Sequence, residues 1–63
     1  MHMSKGKILI IDDDQTVCLS LKLLFKKKDY ETSSVNHPSE VMEKITEFDP
    51  QLILLDMNFT INT

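Results

Sequence analysis

Two runs of four apolar residues, each closed by carboxylates, constrain this chain more than any other feature. Ile8-Leu9-Ile10-Ile11 runs into Asp12-Asp13-Asp14, and Leu52-Ile53-Leu54-Leu55 runs into Asp56. A strand sends successive side chains to opposite faces, so an unbroken apolar run needs cover on both. Residues 7–11 and 51–55 are therefore predicted to be strands of a parallel sheet with helices packed on its two sides.

The segments between them supply the helices. Residues 14–28 place Val17, Cys18, Leu21, Leu24 and Phe25 on one face at helical spacing. Asp13 or Asp14 can cap the start, and Lys26-Lys27-Lys28 suit the negative end of the helix dipole. Leu19 and Leu23 fall outside that stripe, which leaves the helix more apolar surface than one contact buries. Residues 30–35, Tyr-Glu-Thr-Ser-Ser-Val, read as a polar strand suited to a sheet edge. Pro38 opens a second helix, with Glu40 in its first turn and Val41, Met42, Ile45 and Phe48 as its apolar stripe. The Asp49-Pro50 pair ends it.

The order β-α-β-α-β implies an α/β fold with a parallel sheet and right-handed crossovers. Putting both apolar strands side by side and the polar one outside gives strand order 2-1-3. The crossover direction then reverses after strand 1, and ligands of open α/β sheets bind at the carboxyl ends of the strands at that point. Adjacent strands lie roughly 4.8 Å apart. Asp12 and Asp13 leave strand 1 there and Asp56 leaves strand 3, so three carboxylates distant in sequence converge on one mouth. Like charges this close repel, and a divalent cation removes the repulsion. Oxygen-only ligands favour Mg²⁺, or Mn²⁺ in its place, over zinc, and Mg²⁺ binds phosphate oxygens. Phosphoryl chemistry is the expectation. The structural alternative is that Asp12 to Asp14 only cap the first helix and Asp56 only ends a strand.

Composition narrows the field. Sixty-three residues allow one small domain, marginal without staples. One cysteine excludes a disulfide within the chain, and one cysteine with two widely spaced histidines cannot build a zinc site. A single thiol fits the reducing cytoplasm. Apolar runs of four exclude a membrane span. A net charge of -3 argues against direct nucleic-acid contact by this segment. Residues 1–6 are polar and aperiodic and read as a disordered or tag-derived N-terminus, His2 included. His37, just before Pro38, reads as a capping or solvent-facing residue, and Cys18 as a small core residue.

Ile8-Leu9-Ile10-Ile11-Asp12-Asp13-Asp14, followed by Asp49-Pro50-Gln51-Leu52-Ile53-Leu54-Leu55-Asp56, resembles the receiver domain of bacterial two-component response regulators. The resemblance covers residues 7–59. It implies a flavodoxin-like fold, here its β1-α1-β2-α2-β3 portion, so that residues 7–63 would be the N-terminal part of a receiver. It implies that Asp56 takes a phosphoryl group from the phosphohistidine of a sensor histidine kinase. It also implies that Asp13 ligates Mg²⁺ directly, that Asp12 acts beside it through water, and that Asn58 adds its backbone carbonyl. The family is a signalling module rather than an enzyme, with at most self-catalysed phosphorylation and dephosphorylation. Transcriptional control is the output of many members. Two departures stand out. Phe59 and Thr60 occupy the places of the family's usual Met-Pro pair. The Ser/Thr that ends the family's fourth strand and the lysine that ends its fifth have no counterpart in these 63 residues.

Two other functions compete. Leu52 to Leu55 followed by Asp56-Met57-Asn58-Phe59-Thr60 is similar to the first motif of haloacid-dehalogenase-like phosphohydrolases. Asn58 then stands where those enzymes carry a general acid, a role that an amide cannot fill. Nor does that family call for the Asp12-Asp13 pair. The third possibility is an association module. An apolar strand 3 left at the edge of a sheet invites another strand, so the chain is expected to be a fragment, or to form a homo-oligomer or exchange strands through strand 3.

Overall fold

The computed structural model describes residues 5–56. Its elements are β1 (Gly6–Ile11), α1 (Gln15–Lys27), β2 (Tyr30–Val35), a 3-10 turn (Pro38–Glu40), α2 (Val41–Phe48) and β3 (Leu52–Leu55). The sheet is parallel throughout and ordered β2-β1-β3, as the apolar runs require. Crossovers of one hand that run in opposite directions place their helices on opposite faces. The two core clusters have this arrangement. Ile8 and Ile10 point toward Cys18, Leu21 and Phe25 of α1, with Tyr30 and Leu54 completing the cluster. Leu9 and Ile11 point the other way, toward Val35 and toward Val41, Ile45 and Phe48 of α2. All four residues of the first apolar run are thus buried, two on each side. Each contributes about 1.5–3 kcal/mol of transfer free energy.

Local chemistry sets the element ends. The Asp14 carboxylate accepts hydrogen bonds from the amides of Thr16 (2.9 Å) and Val17 (3.3 Å), which makes Asp14 the cap of α1. At the other end Asp29 adopts a left-handed conformation (φ 68°), and its amide donates to the Lys26 carbonyl. Phe25 and Tyr30 then meet edge to face at 6.1 Å and hold α1 against the start of β2. Asp49 ends α2 in the same left-handed way (φ 53°), and Pro50 prevents its continuation. Gln51 fastens β3 to β1 twice. Its amide donates to the Lys7 carbonyl (2.9 Å), and its side-chain oxygen accepts from the Lys7 amide (3.1 Å).

Several sequence expectations change. Gly6 belongs to β1 rather than to the N-terminal tail, and the Lys5 amide donates to the Asp29 carbonyl. The second helix opens with a 3-10 turn, and Pro38 heads that turn rather than α2 itself. His37 occupies its cap position, makes no side-chain cap bond and is exposed, in keeping with the solvent-facing role expected of it. Met42 is 69% exposed because it lies one step round the helix from buried Val41, off the face that meets the sheet. Val17 and Leu24 are exposed as well. Cys18, Leu21 and Phe25 make the contact with the sheet, and Val17 and Leu24 lie to one side of it. Leu52, Ile53 and Leu55 remain open because β3 pairs with β1 alone among the described residues.

Candidate functional site: an acidic mouth at the ends of β1 and β3

The β1–β3 register sets Ile11 beside Leu55. The ladder continues for one more bond, from the Asp56 amide to the Ile11 carbonyl (3.0 Å). Asp56 is therefore held in strand geometry as it leaves the sheet, next to the point where Asp12 and Asp13 leave β1. Asp12, Asp13 and Asp56 each offer a carboxylate oxygen, and these oxygens lie within 4.8 Å of one another. Asp12 and Asp56 are half-buried, and Asp13 is exposed.

The loop after β1 is held by several independent contacts. The Asp12 amide donates to the Val35 carbonyl (3.1 Å) and so extends the β1–β2 ladder. One Asp12 carboxylate oxygen accepts from the Asp14 amide (2.9 Å), which turns the chain into α1. Two donors meet the Asp12 carbonyl: the Asn36 side-chain amide at 2.9 Å and the Cys18 thiol at 3.5 Å. Asn36 also donates to the Cys18 sulfur at 3.5 Å. Burial raises the Cys18 pKa above its ordinary value, and the nearby Asp12 charge adds to the effect. Cys18 thus serves as a protonated core residue and a weak donor.

Asp14 is spent on the helix cap and stands apart from the cluster. Asn58 lies outside the described residues, as do Phe59 and Thr60. Asn36 is the contributor that sequence reasoning missed, although its place directly after the second strand, level with the acidic loop, was a usable signal.

Chemically the mouth is an all-oxygen donor set, open to water on one side. Leu21, Leu54 and Leu55 line a groove of about 180 Å³ beside Asp12 and Asp56. A hard divalent cation that keeps several waters fits such a set, and a thiophilic metal does not.

The model of the response regulator receiver domain family matches residues 8–60. The sporulation initiation phosphotransferase F of Bacillus subtilis is 34% identical over 55 residues, which make up 87% of this chain and 44% of that protein. The DNA-binding response regulator MtrA of Mycolicibacterium smegmatis is 26% identical over 57 residues, 90% of this chain and 25% of that protein. The chain thus spans less than half the length of these curated relatives. No solved structure matches at comparable significance.

Proposed function

The chain belongs to the response regulator receiver domain family, and we propose that within phosphorelay signalling it is a magnesium-dependent phosphoacceptor with Asp56 as the accepting residue. The observation that carries this reading is the convergence of Asp12, Asp13 and Asp56 at the carboxyl ends of adjacent strands. An Asp56 carboxylate oxygen attacks the phosphorus of a phosphohistidine on a sensor histidine kinase. The new O–P bond forms as the P–N bond breaks, and the departing imidazole nitrogen keeps the electron pair and takes up a proton. The product is an acyl phosphate on Asp56.

Asp12, Asp13 and Asp56 would hold the Mg²⁺ ion, with the Asn58 backbone carbonyl as a further ligand. When bound, the ion supplies neutralising charge for the phosphoryl oxygens. The bond from the Asp14 amide to one Asp12 carboxylate oxygen fixes that carboxylate relative to the start of α1. The Asp56–Ile11 bond fixes the nucleophile relative to β1. Asn36 and Cys18 act as positioning residues through the Asp12 carbonyl. A cytoplasmic setting belongs to the same proposal, since the kinase chemistry and the single thiol both suit it.

The test is intact-mass measurement after incubation with Mg²⁺ and acetyl phosphate. One phosphoryl group should be gained by the native chain. The gain should vanish in Asp56→Ala and fall sharply in Asp13→Ala or with a chelator present. A gain that survives Asp56→Ala would refute the assignment.

A further inference from the structure

Two grooves run along α1 on the side of the β2 edge, and none of Asp12, Asp13 and Asp56 lines either. One of about 430 Å³ and another of about 410 Å³ share Leu19 and Lys22 in their walls and so run into each other along the helix. Their floor is β2, where Thr32 and Ser34 present small polar side chains on one face of the strand. Leu19 and Leu23 form the helical wall and are 59% and 55% exposed. These two leucines are separated by one helical turn and have no core role.

The other border of this trough is the free edge of β2, whose sole sheet neighbour among the described residues is β1. The β1–β2 register runs unbroken from Gly6 beside Tyr30 to Ile11 beside Val35, without a bulge. The strand carries no proline and no lysine. Bulges, prolines and lysines are the devices by which sheet edges are normally closed to further pairing. Alternate residues of this six-residue strand thus leave backbone donors and acceptors beside an apolar wall.

Charge identifies the visitor. Although the whole chain is negative, the trough is lined by Lys22 and Lys26 against a single acid, Glu31. A second copy pairing here through its own β2 would bring the same lysines toward each other. We propose that the β2 edge and the α1 trough receive an extended segment of a partner protein as an added strand, with both apolar and acidic residues among the alternate positions that face α1. Its apolar side chains pack against Leu19 and Leu23, its acidic ones approach Lys22 and Lys26, and its backbone completes the β2 ladder. This surface lies outside the acidic mouth, and its use does not depend on phosphorylation at Asp56.

A fluorescent peptide about eight residues long to match a typical strand, with valine and glutamate taking turns at every second position and threonine between them, serves as the probe, read by anisotropy on the full chain. Saturable binding is expected, with new protection of β2 amides from hydrogen exchange. N-methylation of alternate peptide nitrogens should weaken binding about tenfold or more, because it removes main-chain donors while leaving the side chains in place. That comparison needs no protein variant. The double variant Lys22→Glu/Lys26→Glu should reject the glutamate peptide and accept its valine–lysine counterpart. The proposal is overturned by absent binding, by equal binding of the N-methylated peptide, by tighter binding of a stapled acidic helix, or by self-association through β2.

Discussion

Replacing Asp56 by asparagine should stabilise the metal-free chain, although it removes the proposed nucleophile. The oxygens of Asp12, Asp13 and Asp56 lie within 4.8 Å of one another. Two unit charges at that separation repel by about 0.9 kcal/mol in water. Asp56 takes part in two such pairs, so neutralising it relieves about 1.7 kcal/mol before screening. A Debye length of about 10 Å at 0.1 M salt leaves roughly 1 kcal/mol of that. The half-buried positions of Asp12 and Asp56 make the dielectric constant of water a lower bound on the effect. Asparagine has the same shape, and the bond from the backbone amide of residue 56 to the Ile11 carbonyl does not depend on side-chain charge. For a domain of this size, about 1 kcal/mol corresponds to a rise in Tm of about 4–8 °C. Thermal melts followed by circular dichroism in magnesium-free buffer measure it. The difference should shrink to a small fraction in 1 M salt, where the Debye length is about 3 Å. Added Mg²⁺ should raise the native Tm more than that of Asp56→Asn, because a cation relieves the same repulsion. An unchanged or lower Tm for the variant at low salt would refute the electrostatic account, as would a difference that ignores salt.

Three further outcomes follow from individual contacts. Asp14→Ala frees the Thr16 and Val17 amides and should cost about 1 kcal/mol in urea unfolding; phosphorylation with acetyl phosphate should persist, and its loss would move Asp14 into the site. The Cys18 pKa is raised in the fold by burial first and by Asp12 second, so the folded thiol keeps a proton that the unfolded one gives up above about pH 8.5. That contribution is intact at neutral pH and declines as pH climbs beyond that value; urea midpoints at pH 7 and pH 10 should fall more steeply for the native chain than for Cys18→Ala, and equal falls would contradict the assignment. Leu52, Ile53 and Leu55 expose an uncharged strand edge, so light scattering should show concentration-dependent association that Leu52→Lys suppresses. A monomer at every concentration would show that the edge is inert.

Much of this molecule is written in patterns a few residues long. Four apolar residues in a row can be covered on both faces only inside a layered sheet, and β1 is buried on both sides as that rule demands. Pro38 and the Asp49-Pro50 pair marked the limits of the second helical segment, because proline acts through its own ring and its missing N–H, whatever surrounds it. Placing the acids at strand ends was enough to bring Asp12, Asp13 and Asp56 to one edge, since strand order and direction leave those ends nowhere else to go.

What sequence could not show is how each side chain shares its space. Periodicity assigned Val17, Leu24 and Met42 to helix stripes, yet these residues stand exposed, because a stripe gives a direction round a helix and not the width of the surface it meets. Strand order was different, since the runs already implied 2-1-3 with strand 3 at an edge. The sheet encloses β1 between two neighbours and leaves β3 with one. Asn36 reaches the Asp12 carbonyl across 24 positions of chain, a contact that exists only once β2 lies beside β1. Local sequence determined the elements, their order and the chemistry at their ends, because those depend on backbone preference and hydrophobic alternation within a few residues. Burial, the choice of Asp14 over Asp13 as cap, and the spacing of the carboxylates were decided by the packed fold, because each depends on atoms that folding alone brings together.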